Sequence, residues 1–185
     1  GKSAPDTDCQ KEPVALKGQL AMLTKVVLDS LNDQIKHELY SSYLYLSMST
    51  HCEEVNLGGF AQWLRLQAQE ELGHAMKIRT YIEDRGGRVL LQAIDQPPAE
   101  FSTPLELFKQ ILEHEKNISA LIHRLYELSI KENDYPTQVM LQWFITEQVE
   151  EEKTAGTIVE QLKMIGDSKG QLMMVDRHLG RRVPA

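Results

Sequence analysis

QAQEELGH, Gln67 to His74, lies midway along a segment of helical period. Glu71 and His74 are three residues apart, so on a helix they share one face about a turn apart and can bind a single metal ion. Steps of three and four outward from Glu71 give Phe60, Leu64, Gln67, Glu71, His74, Ile78 and Tyr81, a stripe apolar at both ends and ionisable in the middle. Such a stripe faces an interior, and the question is what lies opposite its centre.

Three further segments carry stripes of the same kind. From about residue 20 to 54, Val27, Leu31, Ile35, Glu38, Ser42, Tyr45 and Ser49 follow the four-three alternation of a bundle helix. A break at NLGG, Asn56 to Gly59, turns the next helix, about 60–84, antiparallel to it, and Gly86 and Gly87 stop that helix. A third opens at Ser102 or Thr103 with Pro104 in its first turn and turns Leu105, Phe108, Leu112, Glu115, Ser119, Ile122 and Tyr126 inward. After the NDYP turn, Asn133 to Pro136, a fourth presents Leu141, Phe144, Gln148, Glu151, Ala155, Ile158, Leu162 and Ile165 and ends at Gly166. Residues 169–179 form a short fifth helix with Leu172, Met173 and Val175 left to bury.

The connection at about 88–103, with Pro97 and Pro98, has no helical period. A helix of about 26 residues is ~40 Å long, and ~16 extended residues span ~50 Å, enough to return along a whole bundle. One long crossover between helices two and three marks the all-α, ferritin-like antiparallel arrangement of four helices.

Every long helix thus places a polar residue at the centre of its inward stripe: Glu38, Glu71 with His74, Glu115, and Gln148 with Glu151. Four buried acids without a counter-charge would each cost several kcal/mol and repel one another. A pair of cations resolves this, with Glu71 as the bridge, Glu38 and His74 on one metal, and Glu115 and Glu151 on the other beside Gln148. An oxygen-rich set with one imidazole favours iron or manganese over structural zinc. Tyr45, seven residues after Glu38, reads either as a redox or hydrogen-bonding partner of that site or as a core tyrosine. Glu70, Glu147 and Glu150 border the central set, and periodicity alone does not separate a further site from a solvated acidic face. His37, His51, His114, His123 and His178 fall off the stripes and read as surface residues.

Composition bounds the rest. The 185 residues suit one bundle domain, 20–185, behind a polar extension, 1–19, that lacks any period and reads as flexible. A net charge of -7 argues against a nucleic-acid surface, and no apolar run approaches the ~18 residues of a membrane span. Two cysteines, Cys9 in the extension and Cys52 as a small buried hydrophobe, make a disulfide framework improbable and a reducing compartment expected. That compartment is cytoplasmic, or organellar if Gly1 marks a processed end.

LNDQIKHELYSSYLYL, QAQEELGH, EHEKNISAL and DYPTQVMLQWFITEQVEEEK resemble the four helices of non-haem ferritins of the prokaryotic type, over about 20–179. The resemblance implies a 24-subunit shell in which Fe(II) is oxidised by O2 or peroxide at an intra-subunit ferroxidase centre and stored as ferric mineral. It matches Glu38, Glu71 and His74 to the first iron site and Glu71, Glu115, Gln148 and Glu151 to the second, with Tyr45 beside them. It also matches Glu70, Glu147 and Glu150 to a third iron site. Bacterioferritins differ, having a second Glu-x-x-His pair on helix four and a Met just after the Glu of the first pair; Gln148, Glu151 and Leu72 here argue against haem ligation in that style. Gln138 and Leu141 replace the channel acids of animal ferritins, so that entry route does not carry over. Two alternatives use the same residues: a structural shell subunit without a working centre, and a di-iron oxidase of another substrate. The complete donor set argues against the first, and the lack of a small-residue pocket beside the stripes against the second.

Overall fold

In a computed structural model, which describes residues 22–184, the chain forms five helices and, among the described residues, no strand. They are α1 (Lys25–Glu54), α2 (Gly58–Asp84), α3 (Pro104–Lys131), α4 (Tyr135–Ile165) and α5 (Lys169–Leu179). The expected extension and Cys9 lie outside the described residues. No described helix is long and apolar enough to cross a membrane.

Helices α1 and α2 run antiparallel: Ser49 Oγ donates to the Ala61 carbonyl at 2.8 Å and Ser42 Oγ to that of Ala68 at 2.7 Å. Helices α3 and α4 pair the same way, with Gln148 Nε2 donating to the Glu115 carbonyl at 3.2 Å and Gln138 Nε2 to that of Ser129, also at 3.2 Å. Residues 88–103 are the long crossover. They follow α1 in extended form, with Leu90 N donating to Asn32 Oδ1 at 2.7 Å and Ser47 Oγ to the Pro98 carbonyl at 2.6 Å. The caps are those the side chains favour: Thr103 accepts from Glu106 N, Asp134 accepts from Thr137 N, and Gly86, at φ 69, follows the end of α2.

Helix α1 starts at Lys25 rather than near residue 20, because Thr24 is extended at φ -63, ψ 152. The break after α1 is also shorter than expected. It is confined to 55–57, where Asn56 takes φ 61, and Gly58 and Gly59 are helical. Helix α5 explains this: Asp176 Oδ1 accepts from Gly59 N at 2.8 Å and Phe60 N at 3.1 Å, capping α2 from across the chain. Ser41 is fully buried, whereas Ser42, the serine placed on the stripe, is half-buried. Cys52 is buried and free, its thiol pushed up to about 12 by burial and by Asp176 and Glu53.

The apolar core comes in two halves. One gathers Met48, Phe60, Leu64, Phe108 and Ile158, the other Leu31, Ile35, Ile78, Ile122 and Phe144. The acids lie between them.

Candidate metal centre

Glu38, Glu71, His74, Glu115, Gln148 and Glu151 are all buried, so the four long helices do bring their polar centres to one level. Ligand atoms of Glu38, Glu71 and His74 lie within 4.8 Å of one another, and so do those of Glu71, Glu115 and Glu151. Glu71 belongs to both groups, the place of a bridging carboxylate.

Neutral donors hold these carboxylates from outside. Gln34 Nε2 donates to Glu38 Oε1 at 2.8 Å, and Gln67 Nε2 to Glu71 Oε1 at 3.0 Å and Glu151 Oε2 at 2.8 Å. Gln148 Nε2 donates to Glu115 Oε2 at 3.1 Å, and the Tyr45 hydroxyl donates to Glu115 Oε1. Two buried atoms have no such partner: Glu38 Oε2 and His74 Nδ1. They are 3.9 Å apart, and His74 Nδ1 is 3.3 Å from Glu71 Oε2. Unpaired buried polar atoms cost free energy, and a cation among them removes that cost. The donor set, carboxylates with one imidazole, suits iron or manganese.

The electrostatics agree. Burial, then Glu71, pushes the Glu38 carboxyl up to about 8, and burial, then Glu115, pushes Glu151 up to about 7. Burial also raises Glu115, and burial with Glu115 and Glu151 raises Glu71 well above the carboxylate range. Tyr45 stays a phenol, raised by burial and Glu115. Acids raised in the folded state favour folding fully below their unfolded value of 4.5 and lose that contribution as pH climbs through about 7 and about 8. Chelator-treated protein is therefore expected to melt at a lower temperature at pH about 8.5 than at pH about 6, and saturating Zn(II) to abolish most of the difference. Scanning calorimetry at both pH values checks this; a melting point that rises with pH would contradict it.

The outer acids separate. Glu147, half-buried, has a ligand atom within 4.8 Å of those of His74 and Glu151. Glu70, also half-buried, pairs with Arg182, and Glu150 is exposed. Of the histidines read as surface residues, His123 and His178 are exposed, whereas His37 and His51 are half-buried, His51 against the Phe101 ring. His114 departs most. It contacts the Tyr45 ring edge-on at 5.8 Å, lies 2.7 Å from Ser41 Oγ, and is pushed down to about 4 by burial and His37. It lies one position from Glu115 on the α3 side that meets α1, so the inward stripe did not include it.

Gln34 and Gln67 were legible in principle, since each stands four residues before the acid that it holds. Arg182 was not. It reaches Gln67 and Glu70 only because α5 folds back onto α2.

The ferritin-like domain family model matches residues 28–165. A bacterial non-heme ferritin of Bacteroides fragilis strain 638R is 42% identical over 161 residues, 87% of this chain and 100% of that protein. One from Staphylococcus aureus strain USA300 is 38% identical over 161 residues, 87% of this chain and 97% of that protein. Among solved structures, the open pore ferritin of the hyperthermophilic archaeon Archaeoglobus fulgidus matches with a TM-score of 0.86 at 45% identity, over 87% of this chain and 98% of that one.

Proposed function

Because the chain belongs to the ferritin family, we propose that it stores iron, oxidising Fe(II) at a two-iron centre and depositing Fe(III) as mineral inside a shell of 24 copies. The observation that carries this is the double membership of Glu71: one carboxylate reaches both Glu38 with His74 and Glu115 with Glu151. Glu38 and His74 hold one Fe(II), Glu115, Gln148 and Glu151 the other, and Glu71 spans them.

Each Fe(II) gives up one electron. O2 takes the pair with two protons to become hydrogen peroxide, or peroxide takes it with two protons to become two waters. Two Fe(II) balance the four carboxylates, whereas two Fe(III) exceed them by two charges, so oxidation itself favours departure of the product. Glu147, close to His74 and Glu151, starts the outward path, and Glu70 and Glu150, matched with it by the ferritin resemblance, would complete an outer third iron position. Gln34 and Gln67 keep the carboxylates oriented while the iron charge changes. Leu72, in the place of the bacterioferritin Met, speaks against haem ligation in that style, and a cytoplasmic location fits a buried, free Cys52.

The test is anaerobic Fe(II) titration followed by rapid mixing with O2. Saturation at two Fe(II) per subunit for the fast phase supports the proposal; oxidation proportional to added iron with no such break would overturn it. Tyr45→Phe keeps the ring in the core and removes the donor to Glu115. It is expected to preserve the two-iron stoichiometry and slow the fast phase by roughly tenfold, the equivalent of one hydrogen bond to a charged group of about 1.5 kcal/mol. An unchanged rate would reduce Tyr45 to packing.

A further inference from the structure

We propose that Arg182 gates the outer iron position, holding Glu70 with its guanidinium until an incoming cation displaces it. The inference rests on the reading of Glu70, Glu147 and Glu150 as that position.

Arg182 lies just beyond α5, and its place is fixed by how that helix docks. Asp176 caps the Gly59 and Phe60 amides, and a side chain on Gly180 would stand 3.1 Å from Gly59 Cα, so the end of α5 lies directly against the start of α2. From there Arg182 Nη1 donates to Gln67 Oε1 at 2.8 Å and Nη2 pairs with Glu70 Oε2. The guanidinium also stacks 4.7 Å over the Trp63 ring. The pair is largely shielded, with side-chain exposures of 22% and 26%, so it is firmer than an open surface contact.

Two consequences follow from chemistry. A cation that takes Glu70 Oε2 competes with Nη2 for the same lone pairs, and two positive groups at one carboxylate repel. The Trp63 face, on which the guanidinium already lies, is where it shifts as it leaves Glu70. In addition, Gln67 accepts from Arg182 through its oxygen and donates through its nitrogen to Glu71 and Glu151. Release of Arg182 therefore changes the hydrogen bonding of the amide that orients the bridging carboxylate. Arg182 is a positioning residue, coupling occupancy of the outer site to the inner one.

Zn(II), redox-inert, is the probe. Calorimetric titration of the whole protein is expected to show two tight ions and a weaker third. In Arg182→Ala the third binds at least ~10-fold tighter, and in Glu70→Gln it is lost. In a Trp143→Phe background Trp63 is the one remaining tryptophan. Its emission should shift with the third equivalent when Arg182 is present and stay constant in the Arg182→Ala double variant, a signal that a merely structural arginine would not produce. If the third ion binds equally or more weakly in Arg182→Ala while Glu70→Gln still removes it, the gate is wrong and the outer site stands. If no protein binds a third ion and Glu70→Gln changes nothing, both fall.

Discussion

Glu71→Ala is expected to slow the fast phase of Fe(II) oxidation by at least about a hundredfold while leaving the subunit folded. Loss of an outer-shell partner alone typically costs 10–100-fold, and Glu71 is more than that. It is the one carboxylate in both ligand groups, so on the two-iron reading its removal would take an oxygen from each metal and the bridge between them. The fold should survive for three local reasons. Alanine is the best helix former. The deleted carboxylate sits among Glu115 and Glu151, which raise its proton affinity and are themselves raised by burial, so its loss relieves repulsion. The core lies in two apolar halves to either side, neither of which includes it. Stopped-flow oxidation, with size-exclusion chromatography as the control for assembly, decides the matter. A wild-type rate in Glu71→Ala would sink the two-iron reading; a slow rate with the assembly lost would show that the acid level is structural. Chelator-treated Glu71→Ala should also melt no lower than chelator-treated wild type.

The polar level that this variant probes was legible because helical period is local information. Once Phe60, Leu64, Ile78 and their counterparts define inward stripes, an acid in mid-stripe stands out without knowledge of the partner helix, and the crossover follows from its length. What escaped was of another kind. Ser41 and Ser42 differ by 100° around α1, within the width of a stripe, so their ranking needed the packed neighbour. His114 needed the α1–α3 crossing, which sets Tyr45 against it. Arg182 and Asp176 needed the docking of α5 on the start of α2, a contact between segments more than 100 residues apart that no period encodes. Gly58 and Gly59 misled for a related reason. Glycine is a poor helix former and reads as a break, yet here the pair lies inside α2 because Asp176 caps it and α5 lies on it.

That close approach makes the two neighbouring glycines respond oppositely to the same substitution. A Cβ on Gly58 meets nothing within 4 Å, whereas one on Gly59 would stand 1.7 Å from the Asp176 carbonyl oxygen and 2.5 Å from its carbon. The atoms in the way are backbone, so no change of rotamer relieves the clash, and α5 has to leave. Gly58→Ala is expected to be neutral or to stabilise by up to about 1 kcal/mol, the propensity gain of alanine over glycine in a helix. Gly59→Ala carries the same local gain but loses the Asp176 cap and the burial of Leu179. Amide hydrogen exchange over residues 169–182 should therefore rise by at least about a hundredfold in Gly59→Ala alone, with the four long helices still protected. Equal protection of α5 in the two variants would show that the backbone yields instead. If α5 departs, Arg182 departs with it, so Gly59→Ala should bind the third Zn(II) as tightly as Arg182→Ala does. That agreement between a backbone variant and a side-chain variant, the first of which alters no charged residue, would separate loss of the gate from an altered acidic surface.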